Sequence, residues 1–167
     1  MKDTKQLIYM SLLVAMALVL HFIERNIPVP FTTPGAKLGL ANLVTVIALY
    51  TIKNKQDVMK IIIARVILSA IFGGSVSGLI YGSMGAFLSF IIMVIIKEGL
   101  KDKVSIIGVS SAGAVFHNIG QLLVASFIVK NIGVMLFLPF LSIAGILTGI
   151  FVGMAANYTV THMYQLH

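Results

Sequence analysis

Only a handful of side chains in this sequence are equipped for chemistry, and most of them lie inside long apolar runs. Arg65 stands midway along IIIARVILSA, and Ser110, Ser111, Ala114, His117, Asn118 and Gln121 recur through the run that begins at Val104. At 3.6 residues per turn these six positions fall along one small-and-polar side of a helix. A charged or strongly polar group at membrane depth is costly unless it is paired or faces a cavity, so such groups point to function. The stripe is therefore expected to line a cavity. Two roles stand open for Arg65: a structural arginine bonded to helix-end carbonyls or a neighbouring acid, or a cationic residue that binds a ligand or couples its movement. Asn42 and Thr45, one turn apart, could join the cavity. Asn157 and Thr161, also one turn apart, better suit a helix interface or a cytoplasmic contact. His21 and Glu24 are three apart and are expected to form a local ion pair, with each other or with Lys37.

Catalysis finds little footing. The five acids are Asp3, Glu24, Asp57, Glu98 and Asp102, and none belongs to an aspartate-rich cluster of the kind that holds magnesium on a diphosphate. No GxxxxGK[ST] phosphate loop is present, and GGSVSG at residues 73–78 is better read as loop structure than as a phosphate cradle. With no cysteine there is no thiolate chemistry, and no two histidines share metal-ligand spacing on one helix. The chain is expected to bind and not to catalyse, with no cofactor and no metal. Active transport would need an engine supplied by another protein.

These groups must be positioned by apolar elements. Hydrophobic residues make up 59% of the 167, charged residues 10%, and mean hydropathy is +1.05. A soluble domain of this size has too little interior to hide so much apolar surface. We therefore expect an all-α integral membrane protein, one domain over residues 1–167, with six apolar segments at 7–23, 38–52, 58–72, 79–96, 104–129 and 134–163. The first is expected to be a retained helix, since no small-residue cleavage site follows it. Two segments are short for a full crossing, so tilt or a break is expected.

Charge sets the orientation. Lys2, Lys5, Lys53, Lys55, Lys60, Lys97, Lys101 and Lys103 fall on one side of these segments, and Arg25, Lys37 and Lys130 on the other. The positive-inside rule then puts both termini in the cytoplasm and the 27–38 connection outside. The net charge of +7 describes orientation here, not nucleic-acid binding. Small residues recur at packing intervals: Gly145, Gly149 and Gly153 in the last segment, Gly78, Gly82 and Ala86 in the fourth, Ser11 and Ala15 in the first. Bundle packing is the expectation for the first two rows, whereas the Ser11–Ala15 row lies near the cytoplasmic end, where a membrane partner could dock.

Residues 27–43, IPVPFTTPGAKLGLANL, form the most distinctive break in the chain. Pro28, Pro30 and Pro34 restrict it and so lower the ordering cost of closing over a ligand, while Gly35 and Gly39 permit close backbone approach. Lys37 either places positive charge at the mouth of a site, favouring an anionic or electron-rich ligand, or snorkels to the interface.

With its six segments, its cytoplasmic termini, the small-residue row in the first segment and PGAKLGLANLVT after the first outer break, the whole chain resembles the substrate-binding S components of energy-coupling factor (ECF) transporters. More narrowly it resembles the family labelled Gx transporter or heptaprenyl diphosphate synthase component I, with GAKLGLANL as the most specific part. The resemblance implies a six-helix bundle in the plasma membrane of a bacterial-type cell. The bundle would capture a small vitamin-like or precursor molecule from outside and work with a T component and two cytoplasmic ATPases. It further implies a lid at Pro34, Gly35, Ala36, Lys37 and Gly39, a cavity that includes Asn42, and partner docking at Ser11 and Ala15, an SxxxA variant of the AxxxA motif. His117, Asn118 and Gln121 are assigned to the cavity on helical geometry, and Arg65 joins them as a substrate-binding residue. Two other readings stay open. One is a membrane subunit handling quinone, flavin or isoprenoid in prenyl-diphosphate or electron-transfer metabolism, which should open toward the bilayer. The other is a noncatalytic scaffold, which should have no closed cavity.

Overall fold

The computed structural model describes residues 4–26, 39–73 and 76–165, and all regular structure among them is helical. Six α-helices follow in order: α1 Thr4–Asn26, α2 Leu40–Thr51, α3 Lys55–Gly73, α4 Val76–Leu100, α5 Ile106–Val129 and α6 Leu138–Gln165. Short 3-10 turns at Lys101–Lys103 and Ile132–Phe137 precede α5 and α6. Four helical stretches are long and apolar enough to cross a membrane: Thr4–Glu24, Gly78–Lys103, Ile106–Val129 and Ile132–Gln165. The protein is thus an all-α membrane protein.

The helices alternate in direction, and side-chain bonds between distant residues record it. At one end Gln6 Nε2 donates to Asp57 Oδ2 at 2.9 Å, the Tyr9 hydroxyl meets Thr51 Oγ1 at 2.9 Å, and the Tyr164 hydroxyl donates to the Tyr50 carbonyl at 2.9 Å. Lys55 pairs with Glu98 there as well. The lysine-rich connections after α2 and α4 therefore share this end with the start of α1 and the end of α6. Asp57 sits in the first turn of α3, where a carboxylate complements the helix dipole, and it also takes Lys60 Nζ at 3.1 Å.

The interior is built around α2. Its twelve residues span about 18 Å, well short of the ~30 Å of a hydrocarbon core. Eight of the twelve, among them Val44, Val46, Ile47 and Ala48, are buried. They pack with Leu13 and Ala17 of α1, Val58 and Ile61 of α3, Phe90 and Met93 of α4, and Val152 and Ala156 of α6. The opposite pattern holds on α1, where Leu7, Ile8, Leu12, Met16 and Val19 point outward as lipid-facing residues do.

One sequence-based boundary is corrected. The GGSVSG stretch is not a loop throughout, because α3 runs to Gly73 and α4 starts at Val76. The apolar segment at 134–163 falls within the stretch Ile132–Gln165, which opens with a 3-10 turn through Phe137 before α6, and Pro139 falls in the first turn of α6, where its missing N–H costs no helical bond.

Candidate functional site

Five helices converge on a polar cleft at the end of the bundle where α1 finishes and α2 begins. His21 and Glu24 come from α1, Asn42 from the start of α2, Arg65 and Ser69 from α3, Gly78 and Gly82 from α4, and His117 and Gln121 from α5. Its enclosed volume is about 60 Å³, below the roughly 300–1,000 Å³ of pockets that hold small molecules, so a ligand would need the walls to part.

Local backbone requirements fix its rim. Gly39 adopts φ +73°, a left-handed conformation that L side chains rarely take, and caps α2 without a side chain. Its N–H donates to Glu24 Oε1, so a buried carboxylate at the end of α1 ties down the start of α2. The reach is sixteen residues of chain from Glu24 to Leu40, yet one bond joins the two helix ends.

The floor carries polar groups whose hydrogen bonds are incomplete. Arg65 is only 6% exposed, and its Nε is enclosed without a hydrogen-bond partner. Glu24 is the acid whose field reaches it. Asn42, also 6% exposed, reaches Ser89 Oγ through Nδ2 only at 3.4 Å, and its Oδ1 is enclosed without a partner. On the facing wall the His117 ring lies 3.2 Å from Gln121 Nε2, one helical turn on. Leaving such groups unmet inside a protein is costly, and where it happens in a cleft the missing partner is characteristically a ligand.

The sequence-based assignments divide here. Asn42, Arg65, His117, Gln121 and Gly39 are brought together in the cleft. Asn118 is not: its Nδ2 donates to the Leu141 carbonyl at 2.7 Å and so joins α5 to α6. Ser110, Ser111 and Ala114 likewise meet the Gly145, Gly149 and Gly153 row and not the cleft. Pro34, Gly35, Ala36 and Lys37 lie outside the described residues. Ser11 and Ala15 are exposed on the outer face of α1, and the Ser11 hydroxyl is satisfied by the Leu7 carbonyl at 3.0 Å.

Five contributors were missed: His21, Glu24, Ser69, Gly78 and Gly82. Glu24 and His21 were expected only to pair locally, although their i, i+3 spacing already placed both at the helix end next to the distinctive break. Gly82 was expected to pack a helix, but a Cβ there would meet nothing within 4 Å, so its lack of a side chain leaves space beside the cleft. The close crossing of α4 and α5 uses Gly85 and Gly120 instead, where added Cβ atoms would come within 2.9 Å and 2.8 Å of the His117 and Met84 carbonyl oxygens.

A second depression lies at the opposite end, around the last residues of α2. Lys97 Nζ donates to the Leu49 carbonyl at 2.6 Å and stands 4.4 Å from the centre of the Tyr50 ring, so a side chain from α4 helps cap α2. Tyr50, Lys53, Glu98 and Tyr164 complete its wall. Among the described residues no three His, Cys, Asp or Glu side chains gather as metal ligands would.

A helical membrane bundle with a polar cleft beneath the junction of α1 and α2 defines the class. The chain belongs to the heptaprenyl diphosphate synthase component I family, whose model matches residues 13–159. No curated protein and no solved structure matched it.

Proposed function

We propose that this chain is the substrate-binding membrane subunit, the S component, of an ECF-type ATP-driven importer for a small vitamin-like or precursor molecule. In this reading all six helices cross the plasma membrane with both termini in the cytoplasm, and the Gly39 end of the bundle faces outward. The chain acts by binding and not by catalysis. A T component docks on the Ser11–Ala15 face and two cytoplasmic ATPases drive release. The component I label of the family fits a subunit that works with partners.

The observation that carries the proposal is the cleft itself: five helices contribute polar groups to one place, and Arg65 and Asn42 keep unpaired atoms there. A scaffold would bury such groups against a partner, and a handler of isoprenoid tails would line its site with apolar walls. The test is to purify the full chain in mild detergent, extract and identify any small molecule it retains, and co-express it with candidate T-component and ATPase subunits. A polar metabolite together with a stable four-part complex is expected. A bound quinone or prenyl diphosphate with no transporter partner would overturn the importer reading in favour of an isoprenoid or electron-transfer role.

A further inference from the structure

The cleft also carries information about what it accepts. Arg65 is nine-tenths buried near the middle of α3, yet its Nε is enclosed without a hydrogen-bond partner. Guanidinium presents its donors as a planar fork that fits a carboxylate or phosphate two bonds at a time. Asn42 is equally buried and leaves one amide atom unmet on the α2 side of the same cleft. Turning that amide over exchanges which atom is left, not whether one is left.

The charge balance narrows the class. Arg65 is the only lysine or arginine among the described residues lining the cleft, and Glu24 lines it too. One guanidinium, partly offset by that carboxylate, can hold at most a single negative charge. A diphosphate would need several cations to offset its charge in a partly buried site. Gly82 leaves room on the α4 side, and the His117–Gln121 pair adds a further hydrogen-bonding wall.

Building on the substrate-binding reading, we infer that the ligand is a small organic monoanion: its carboxylate is held by Arg65, and a hydrogen-bonding group on its body is read by Asn42. Arg65 thereby sets selectivity by charge, and Asn42 sets orientation.

The full chain in detergent tests this by thermal melting against matched acids and uncharged partners: nicotinate and nicotinamide, lipoate and lipoamide, pantothenate and panthenol. Inorganic phosphate and farnesyl diphosphate serve as the phosphate arms, and any retained metabolite is identified by mass spectrometry. The expected result is stabilisation by at least one acid but not by its partner, and a retained metabolite that is a carboxylate. Binding should weaken roughly thirtyfold or more in Arg65→Gln, as expected when a buried charged partner is removed. Arg65→Lys keeps the charge without the fork and should fall between, and with Asn42→Ala it carries the test if Arg65→Gln does not fold. Equal stabilisation by acid and uncharged partner, preference for a phosphate arm, or undiminished binding in Arg65→Lys and Asn42→Ala overturns the monoanion assignment and leaves the binding-subunit reading standing. A protein that retains no small molecule and responds to no probe overturns both.

Discussion

The two sides of α5 are built from similar residues and have opposite outcomes. Toward α6, Gly145, Gly149 and Gly153 let the helices close until added Cβ atoms would meet Asn118 Nδ2 at 2.9 Å, Ser111 Cα at 2.5 Å and Ile107 Cα at 2.6 Å. The polar groups there are met: Asn118 by the Leu141 carbonyl, Ser111 by Ile107 and Thr148 by Gly145. Toward α3 and α4, glycine and polar side chains occur again, but Gly82 leaves space and Arg65 and Asn42 keep unpaired atoms. Small residues beside polar ones therefore do not by themselves mark a site in a membrane bundle. Incomplete hydrogen bonding beside unfilled space does.

The largest effect expected from this contrast is on the packed side. Gly149→Leu drives a side chain into the α5 backbone, which cannot yield as a flexible side chain can, and should cost about 3 kcal/mol or abolish folding. Thermal or detergent unfolding of the purified protein measures it, and a tolerated leucine would break the comparison at its first term. Next, Asn118→Ala removes a buried interhelical hydrogen bond and should lower stability by roughly 1–2 kcal/mol with ligand retention intact. Loss of ligand at unchanged stability would move Asn118 back into the site. On the cleft side the pattern inverts. Asn42→Ala should leave unfolding within about 0.5 kcal/mol of the parent, since one of its amide atoms is unmet and the other makes only a long contact, while ligand affinity falls about tenfold. Equilibrium binding and melting of one preparation separate the two. The smallest change is Gly82→Ala, where nothing obstructs the new methyl group and the gain in helix propensity should stabilise the protein by about 0.5–1 kcal/mol. A destabilised Gly82→Ala would mean that α4 packs there after all.

Much of this architecture was legible in advance. Apolar runs located the helices of the described residues, although α2 and α3 are not among the four stretches long and apolar enough to cross a membrane, and the lysine-rich connections share one end of the bundle. The GxxxGxxxG row predicted close packing and is found in it. What the sequence could not resolve was direction around a helix. Ser110, Ser111, Ala114, His117, Asn118 and Gln121 fan across an arc of about 120°, wide enough to touch two neighbours at once. Only the placement of α4 and α6 sends His117 and Gln121 one way and Asn118 the other. Glu24 was obscured for a related reason. A carboxylate next to His21 reads as a local pair, and its bond to Gly39 joins residues fifteen apart in the chain, a separation that helical spacing does not reach. Gly82 shows the limit of small-residue spacing, because a row of small residues permits close approach without compelling it.

The shortness of α2 has an electrical consequence. One cleft reaches Asn42 at its start and the other reaches Leu49 near its end. Water entering both would leave only about 10 Å of dry helix between them, a third of the hydrocarbon thickness. A membrane voltage would then fall almost entirely across Val44, Thr45, Val46, Ile47 and Ala48, making the local field about three times steeper than in the surrounding bilayer. A charged ligand held at Arg65 would sit at the edge of that drop, with most of the voltage still ahead of it.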